Sequence, residues 1–136
     1  MFCLDTDVLS AVVKRDPPLH LIRRLARTPP TDQCTTAITL GELLYGVTRR
    51  GSSALAERVQ DLIESAGPVL PFDERAARQY GFLRASLEGA GRRLAEPDLR
   101  IASIALSRDA TLVTANVRHF ARVPRLRVEN WLIDES

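Results

Sequence analysis

The chain has 136 residues, 45% of them hydrophobic, and a formal net charge of +2. This size and composition are typical of one globular domain, and no apolar run approaches the roughly 20 residues that span a bilayer. The two cysteines, Cys3 and Cys34, lack the spacing of a zinc site or of a disulfide framework. We therefore expect a soluble cytoplasmic protein with a single domain over residues 1–136 and two buried, reduced thiols.

Apolar runs alternate with helical patterns, which predicts βαβ units around a mostly parallel sheet that is covered on both faces. The predicted strands are Phe2–Leu4, Gln33–Thr35, Val69–Phe72, Thr111–Thr114 and Leu126–Trp131. The predicted helices cover Val8–Val13, a segment after Pro17-Pro18, Leu40–Arg50, Leu55–Ala66, Ala76–Leu87 and a segment opened by Pro97. Asp73 is predicted to cap the fifth of these helices. In the second helix, the residues predicted to share the inner face are Leu19, Ile22, Leu25 and Ala26.

Two carboxylates follow the first predicted strand. If the extended geometry continues, Asp5 and Asp7 point the same way, and two like charges so placed need a compensating cation. Asp7 has an alternative role as the N-cap of the helix that begins at Val8. Asp5 ends a buried strand and has no predicted helix of its own to cap, so it is the stronger candidate for a functional acid.

Two further acids, Glu42 and Asp98, lie near predicted helix N-termini, and each also has a structural interpretation. Thr39 and Glu42 match a capping box. The carboxylate of Asp98 could stabilise its helix by about 0.3–1 kcal/mol through its interaction with the helix dipole. In a parallel sheet, however, strand ends and the helices that follow them meet at one edge, where Asp5, Glu42 and Asp98 can converge. Oxygen ligands with open coordination positions suit Mg²⁺ or Mn²⁺.

An amide, Asn116, follows the fourth predicted strand, so it should reach the same edge of the sheet. It could contribute to a metal site or simply form a turn after the strand. Thr6 and Thr114 could hydrogen-bond the carboxylates, or they could be ordinary strand residues.

Four segments in order carry a resemblance to a known family. They are Leu4-Asp-Thr-Asp-Val-Leu9, Ile38-Thr-Leu-Gly-Glu-Leu-Leu-Tyr-Gly46, Pro97-Asp-Leu-Arg-Ile-Ala102, and Leu112-Val-Thr-Ala-Asn116 followed by His119-Phe120 and Val128-Glu-Asn-Trp131. Together they resemble the VapC-type PIN-domain ribonuclease toxins of type II toxin–antitoxin systems. The resemblance covers essentially the whole chain.

The resemblance implies a PIN-like three-layer α/β/α sandwich and a Mg²⁺- or Mn²⁺-dependent endoribonuclease that forms a homodimer. It also implies silencing by a cognate VapB-type antitoxin, contact with operator DNA only through that antitoxin, and no role at a membrane. By resemblance, Asp5, Glu42 and Asp98 are the metal ligands and Asn116 is the fourth catalytic residue. The family often has aspartate at the fourth position, so a one-ion site or a weak second site is expected. The candidates for supporting roles are Thr6, Asp7, Glu96 and Thr114, of which Glu96 could partly substitute for the missing aspartate.

Cations around the acidic pocket are expected to contact the RNA backbone. The arginines nearest the motifs, and hence the candidate RNA contacts, are Arg92, Arg93, Arg100 and Arg118. Nearly all the positive charge is arginine, with Lys14 the single lysine, which suits phosphate binding but also follows from base-composition bias in a genome. We expect His119 to pack or cap the turn beside Phe120.

Two other functions remain open at this point. An Asp-x-Asp after an apolar strand also occurs in haloacid-dehalogenase-like phosphotransferases, in which Asp5 would be a covalent nucleophile. Those enzymes also need a later lysine and a Gly-Asp pair, which this sequence lacks. The other alternative is a catalytically silent PIN scaffold that acts by binding its antitoxin or another partner, and the amide at position 116 favours it.

Overall fold

Five short strands, all parallel, form the centre of the protein in a computed structural model that describes residues 1–133. The strands are β1 (Phe2–Leu4), β2 (Gln33–Thr36), β3 (Val69–Leu70), β4 (Thr111–Val113) and β5 (Val128–Glu129). Their order across the sheet is β3-β2-β1-β4-β5. The first strand is therefore central, and Cys3 pairs with Cys34 on one side and with Leu112 on the other.

The helices connect these strands and cover both faces of the sheet. They are α1 (Thr6–Val12), α2 (Leu19–Arg27), α3 (Ala37–Arg50), α4 (Ser53–Ser65), α5 (Glu74–Gly89), α6 (Glu96–Ser107) and α7 (Val117–Phe120), with a 3₁₀ turn at Pro30–Asp32. Each predicted strand and helix is present, and the predicted three-layer α/β/α fold is confirmed. The predicted bounds of β3, β4 and β5 were each one or more residues too long.

Alternation along the strands divides the interior into two hydrophobic cores. Cys3 and Leu112 face one side, where they pack with residues of α5 and α6. Leu4 and Val113, the next residue in each strand, face the other side and pack with α1, α2, α3 and α4. Both strands are buried on both faces, as expected for a parallel sheet between helical layers.

The two cysteines are buried free thiols, as predicted. Within residues 1–133, no helix combines the length and the apolar character needed to cross a bilayer.

The predicted inner face of α2 was right for Leu25 and wrong for Leu19, Ile22 and Ala26, which are exposed. Leu21 is fully buried and Leu25 packs beside it, whereas Leu19 is 61% exposed and Ile22 is 37% exposed. Leu21 and Leu25 are four residues apart and form the stripe that contacts the core. The apolar residues of this helix extend beyond one face, so their periodicity alone could not identify the buried side.

Candidate functional site

The site begins where the central strand ends. Asp5 directly follows β1, and its backbone N–H continues the strand pairing by donating to the Val113 carbonyl at 2.9 Å. Its carboxylate accepts two hydrogen bonds, from the Thr6 backbone N–H at 2.8 Å and from the Thr114 hydroxyl at 2.8 Å. Asp5 is only 6% exposed. The two bonds hold a buried carboxylate in one orientation at the carboxyl edge of the sheet.

Asp5 is also the N-cap of α1, so the predictions that it had no helix to cap and that Asp7 was the cap were wrong. The reason is that α1 begins at Thr6, immediately after the strand, and not at Val8. Asp7 lies in the first turn, where its Oδ2 accepts the Ala115 backbone N–H at 3.1 Å and lies 3.3 Å from the Thr114 hydroxyl. The two aspartates therefore meet around Thr114, although strand alternation does not place them there.

Glu42 approaches the same edge from α3. Its Oε1 accepts the Thr6 hydroxyl at 2.6 Å, which joins α3 to the start of α1. The capping-box interpretation was wrong, because the N-cap of α3 is Thr36, whose hydroxyl accepts the Thr39 backbone N–H at 3.0 Å. The helix begins at Ala37, which places Glu42 in its second turn, beyond the residues that cap its end.

Asp98 lies in the first turn of α6, as predicted, and is half-buried. Its pKa is raised by burial first and then by the negative charges of Glu42 and Asp7, while the nearby His119 opposes the shift. These interactions place the Asp98 carboxylate close to acids from two other helices.

Burial also raises the pKa of Asp5 to about 7, with further contributions from the charges of Asp7 and Asp98. The hydrogen bonds from Thr114 and Thr6 oppose this shift because they favour the ionised form. Within residues 1–133, the acids of this edge, Asp5, Asp7, Glu42 and Asp98, take part in no ion pair. The edge of the sheet therefore concentrates negative charge that no arginine of this part of the chain neutralises.

Asn116 is the N-cap position of α7, at the turn that follows β4. Its backbone N–H donates to the Thr114 hydroxyl at 3.0 Å, and its Oδ1 lies 3.3 Å from His119 Nδ1. Asn116 thus reaches the site edge and also forms a turn, and His119 contacts that turn next to the fully buried Phe120.

Glu96 is engaged by two neighbouring side chains. It accepts a hydrogen bond from the Tyr80 hydroxyl, and the guanidinium of Arg100 lies 3.6 Å from its carboxylate. Of the predicted RNA contacts, Arg100 is therefore engaged by Glu96, whereas Arg92 and Arg93 lie exposed between α5 and α6 and Arg118 lies on α7.

Two hydroxyl residues lie beneath the site, Thr36 and Thr39. The sequence interpretation missed Thr36 and treated Thr39 only as a helix cap. Both are fully buried, and the Thr39 hydroxyl lies 3.1 Å from that of Thr36 and 3.3 Å from that of Thr6. They form a polar layer below the Thr6–Glu42 hydrogen bond. The only signal in the sequence was a run of threonines after the second predicted strand, which is equally typical of strand residues.

The donors at this edge are all oxygens, and the unbalanced charge around Asp5 fits a hard divalent cation. As the side chains are placed, no three His, Cys, Asp or Glu residues of the described chain are grouped closely enough to hold a metal ion. The residue types therefore fit such an ion, and holding it would require the carboxylates to move closer together.

The chain is similar to known proteins over nearly its whole length. The family model described as the PIN domain matches residues 2–126. The chain is 30% identical to Ribonuclease VapC2 of Rickettsia felis, over 96% of this chain and 98% of that protein. It is 36% identical to the tRNA(fMet)-specific endonuclease VapC of Shigella flexneri, over 96% of this chain and 97% of that protein. The crystal structure of VapBC2 from Rickettsia felis bound to a promoter DNA fragment superposes with a TM-score of 0.83 at 31% identity, covering 96% of this chain and 98% of that one.

Proposed function

This chain belongs to the PIN-domain family, in the group of the VapC toxins, and we propose that it is a Mg²⁺- or Mn²⁺-dependent endoribonuclease. The observation that carries the proposal is the meeting of carboxylates from α1, α3 and α6 at one sheet edge, where none of them forms an ion pair within the described residues. Membership of the PIN-domain family also argues against the haloacid-dehalogenase-like interpretation, in which Asp5 would form a covalent intermediate.

Asp5, Glu42 and Asp98 are the residues that would hold the ion, with Asn116 as a fourth contributor. Bound there, a divalent cation supplies a more acidic water and neutralises charge on a phosphodiester. The protein's own contribution is orientation: Thr6 and Thr114 fix oxygens of Glu42 and Asp5 by hydrogen bonds of 2.6 and 2.8 Å. These hydrogen bonds restrict the orientations of the two carboxylates at the edge of the sheet.

The test uses purified protein freed of any antitoxin and a structured RNA such as bulk transfer RNA. We expect cleavage in Mg²⁺ or Mn²⁺, none in excess chelator, and recovery when the ion is added back. Undiminished cleavage in chelator would contradict the proposal.

The alternative of a catalytically silent scaffold is favoured by one observation, the amide of Asn116 at the fourth position. It predicts that titration calorimetry detects no Mg²⁺ or Mn²⁺ binding and that RNA stays intact under all ionic conditions. Saturable binding of either ion, lost in Asp98→Asn, would exclude it.

We further propose that the partners are a cognate VapB-type antitoxin and a second copy of this chain. The solved VapBC complexes with the same fold support the first partner. Exposed apolar side chains on α2 and α3, among them Ile22, Leu44 and Tyr45, support the second, since large apolar groups on a surface favour association. Light scattering should give twice the 15.1 kDa chain mass in the absence of antitoxin.

A further inference from the structure

A groove leads away from the acidic edge between α1, α3 and α4. Its cavity volume is about 410 Å³, and Glu42 lines it, so the groove and the acidic edge share a residue. Buried apolar side chains, Val13, Leu43 and Val59, contribute to its lining. The groove therefore combines an apolar surface with direct access to the site.

Four cationic side chains line the same groove. They are Lys14, Arg15, Arg50 and Arg58, and all four are exposed. Within residues 1–133 none of them forms an ion pair, and the one carboxylate that lines the groove is Glu42. Arg58 is anchored, because its Nε donates to the Val13 carbonyl at 3.0 Å. The groove consequently carries an excess of positive charge that is available to bind an anion.

A second cavity beside α5 and α6 provides a contrast. Its volume is about 190 Å³, and its charged lining consists of two arginines, Arg84 and Arg93, and two acids, Glu88 and Glu96. Arg84 is paired with Glu88 at 3.0 Å. Positive charge in this cavity is balanced, so it lacks the electrostatic character of the larger groove.

The groove is also long enough to hold several nucleotides. Arg50 lies eight residues after Glu42 on the same helix, which corresponds to about 12 Å along its axis. A stacked strand rises by about 3.4 Å per nucleotide, so this length accommodates roughly three to four nucleotides. Cations at the rim would meet successive phosphates while bases pack on the apolar lining.

We propose that this groove binds the RNA strand on one side of the scissile phosphate, with Lys14, Arg15, Arg50 and Arg58 contacting its backbone. The proposal rests on the proposed endoribonuclease function, since an RNA cut at the acidic edge must extend beyond it on both sides. It assigns the groove to RNA and not to an acidic protein segment, because the groove opens onto Glu42, where the cut strand would emerge.

The experiment measures binding of fluorescently labelled bulk transfer RNA and of a single-stranded 12-nucleotide RNA, in chelator, over a range of salt concentrations. The variant is Lys14→Gln/Arg50→Gln, which leaves the anchoring arginine at position 58 intact. We expect its affinity for both probes at low salt to fall about 10-fold. For the single-stranded probe, the salt slope of log Kd should decrease by about 1.4, or 0.7 per lost contact. The control is Arg78→Gln on α5, outside the groove, whose side chain is 72% accessible and lies 3.8 Å from Glu74, and for which both quantities should stay close to the original.

A salt slope unchanged in the double variant, or changed equally in the control, would overturn the proposal. So would the absence of salt-dependent binding of either probe by the unaltered protein. If the double variant keeps its RNA affinity but loses its co-expressed antitoxin, the groove is a protein-binding site and the proposal fails. Because binding is measured in chelator, it is independent of cleavage: a protein that binds RNA through the groove but never cuts it would contradict the proposed activity alone. Thermal melting by circular dichroism confirms that each variant is folded.

Discussion

Two aspartates of this protein perform the same structural task in opposite electrostatic environments. Asp5 caps α1 by accepting the Thr6 N–H, and Asp73 caps α5 by accepting the Ala76 N–H at 3.0 Å. The pKa of Asp73 is lowered, first by that capping bond and also by Arg108, whose guanidinium lies 3.0 Å away. The pKa of Asp5 is instead raised to about 7, first by burial and then by the charge of Asp7.

The difference shows how the environment of Asp5 departs from that of an acid that only caps a helix. An N-cap needs one oxygen and gains from a nearby cation, and Asp73 has both. Asp5 is deeply buried beside other acids, an arrangement that the capping role does not require and that destabilises the folded protein without a cation. Perturbed carboxylates grouped in this way are typical of functional sites.

The largest expected difference between the surroundings of Asp5 and those of Asp73 is in the rate of RNA cleavage. Replacing Asp98, a partner of Asp5 in the acidic group, by asparagine should reduce cleavage by at least about 100-fold, because it removes an oxygen that we propose as a metal ligand. Asp73→Asn is the matched control, since it makes the same chemical change outside the site and should retain activity. Initial rates of RNA cleavage measure both. Equal losses in the two variants would mean that the acidic edge has no special role.

A second test concerns the hydroxyl that lies between Asp5 and Asp7. Thr114→Val should lower the free energy of unfolding by about 1–3 kcal/mol, because the carboxylate of Asp5 and the N–H of Asn116 each lose a partner in a buried environment. Thr48→Val, at an exposed position on α3, is the control and should change stability far less. Urea unfolding gives both values. Equal stability of the two variants would contradict the role assigned to Thr114.

A third test uses the raised pKa of Asp5 directly. Between the unfolded value of about 3.8 and the folded value of about 7, the folded protein binds more protons, so stability falls as pH rises through this interval. Asp5→Asn removes this loss while keeping an oxygen for the helix cap. In chelator, the variant should exceed the original in stability by an amount on the order of 1 kcal/mol at pH 8, and the difference should shrink towards pH 4. A lower melting temperature for the variant at pH 8 would show that Asp5 is mainly a structural hydrogen-bond acceptor.

The smallest expected effect concerns Asp73, whose replacement should lower the stability of the protein, whereas Asp5→Asn should raise it. Its folded pKa is lowered, so it contributes stability above the unfolded pKa, and that contribution is lost as pH falls through the folded value. Asp73→Ala should therefore lower the melting temperature by a few degrees near neutral pH and by less in strong acid. Melting curves at neutral and acidic pH measure the difference. A variant that melts higher than the original at neutral pH would contradict the contrast between the two caps.

Much of this molecule follows from local sequence patterns. Alternating apolar runs and helical repeats predicted the five strands and six of the seven helices among the described residues, because burial on a sheet or helix face sets a short period in the sequence. The short helix α7 was not predicted. The N-cap at Asp73 and the position of Asp98 in the first turn of α6 also depend only on neighbouring residues. The candidate acids Asp5, Glu42 and Asp98 were therefore identifiable from the order of residues alone.

Tertiary structure decided how these residues are used. The Thr6–Glu42 bond joins residues 36 apart in the chain and the Thr114–Asp5 bond joins residues 109 apart, so no local pattern specifies them. The same applies to the groove, whose cations come from the segment after α1, from α3 and from α4 and meet only when these helices pack together. The sequence by itself determined which groups are available and on which elements they lie. Packing determined which of those charges are neutralised and which remain unbalanced, because neutralisation depends on distances between segments that are remote in the chain.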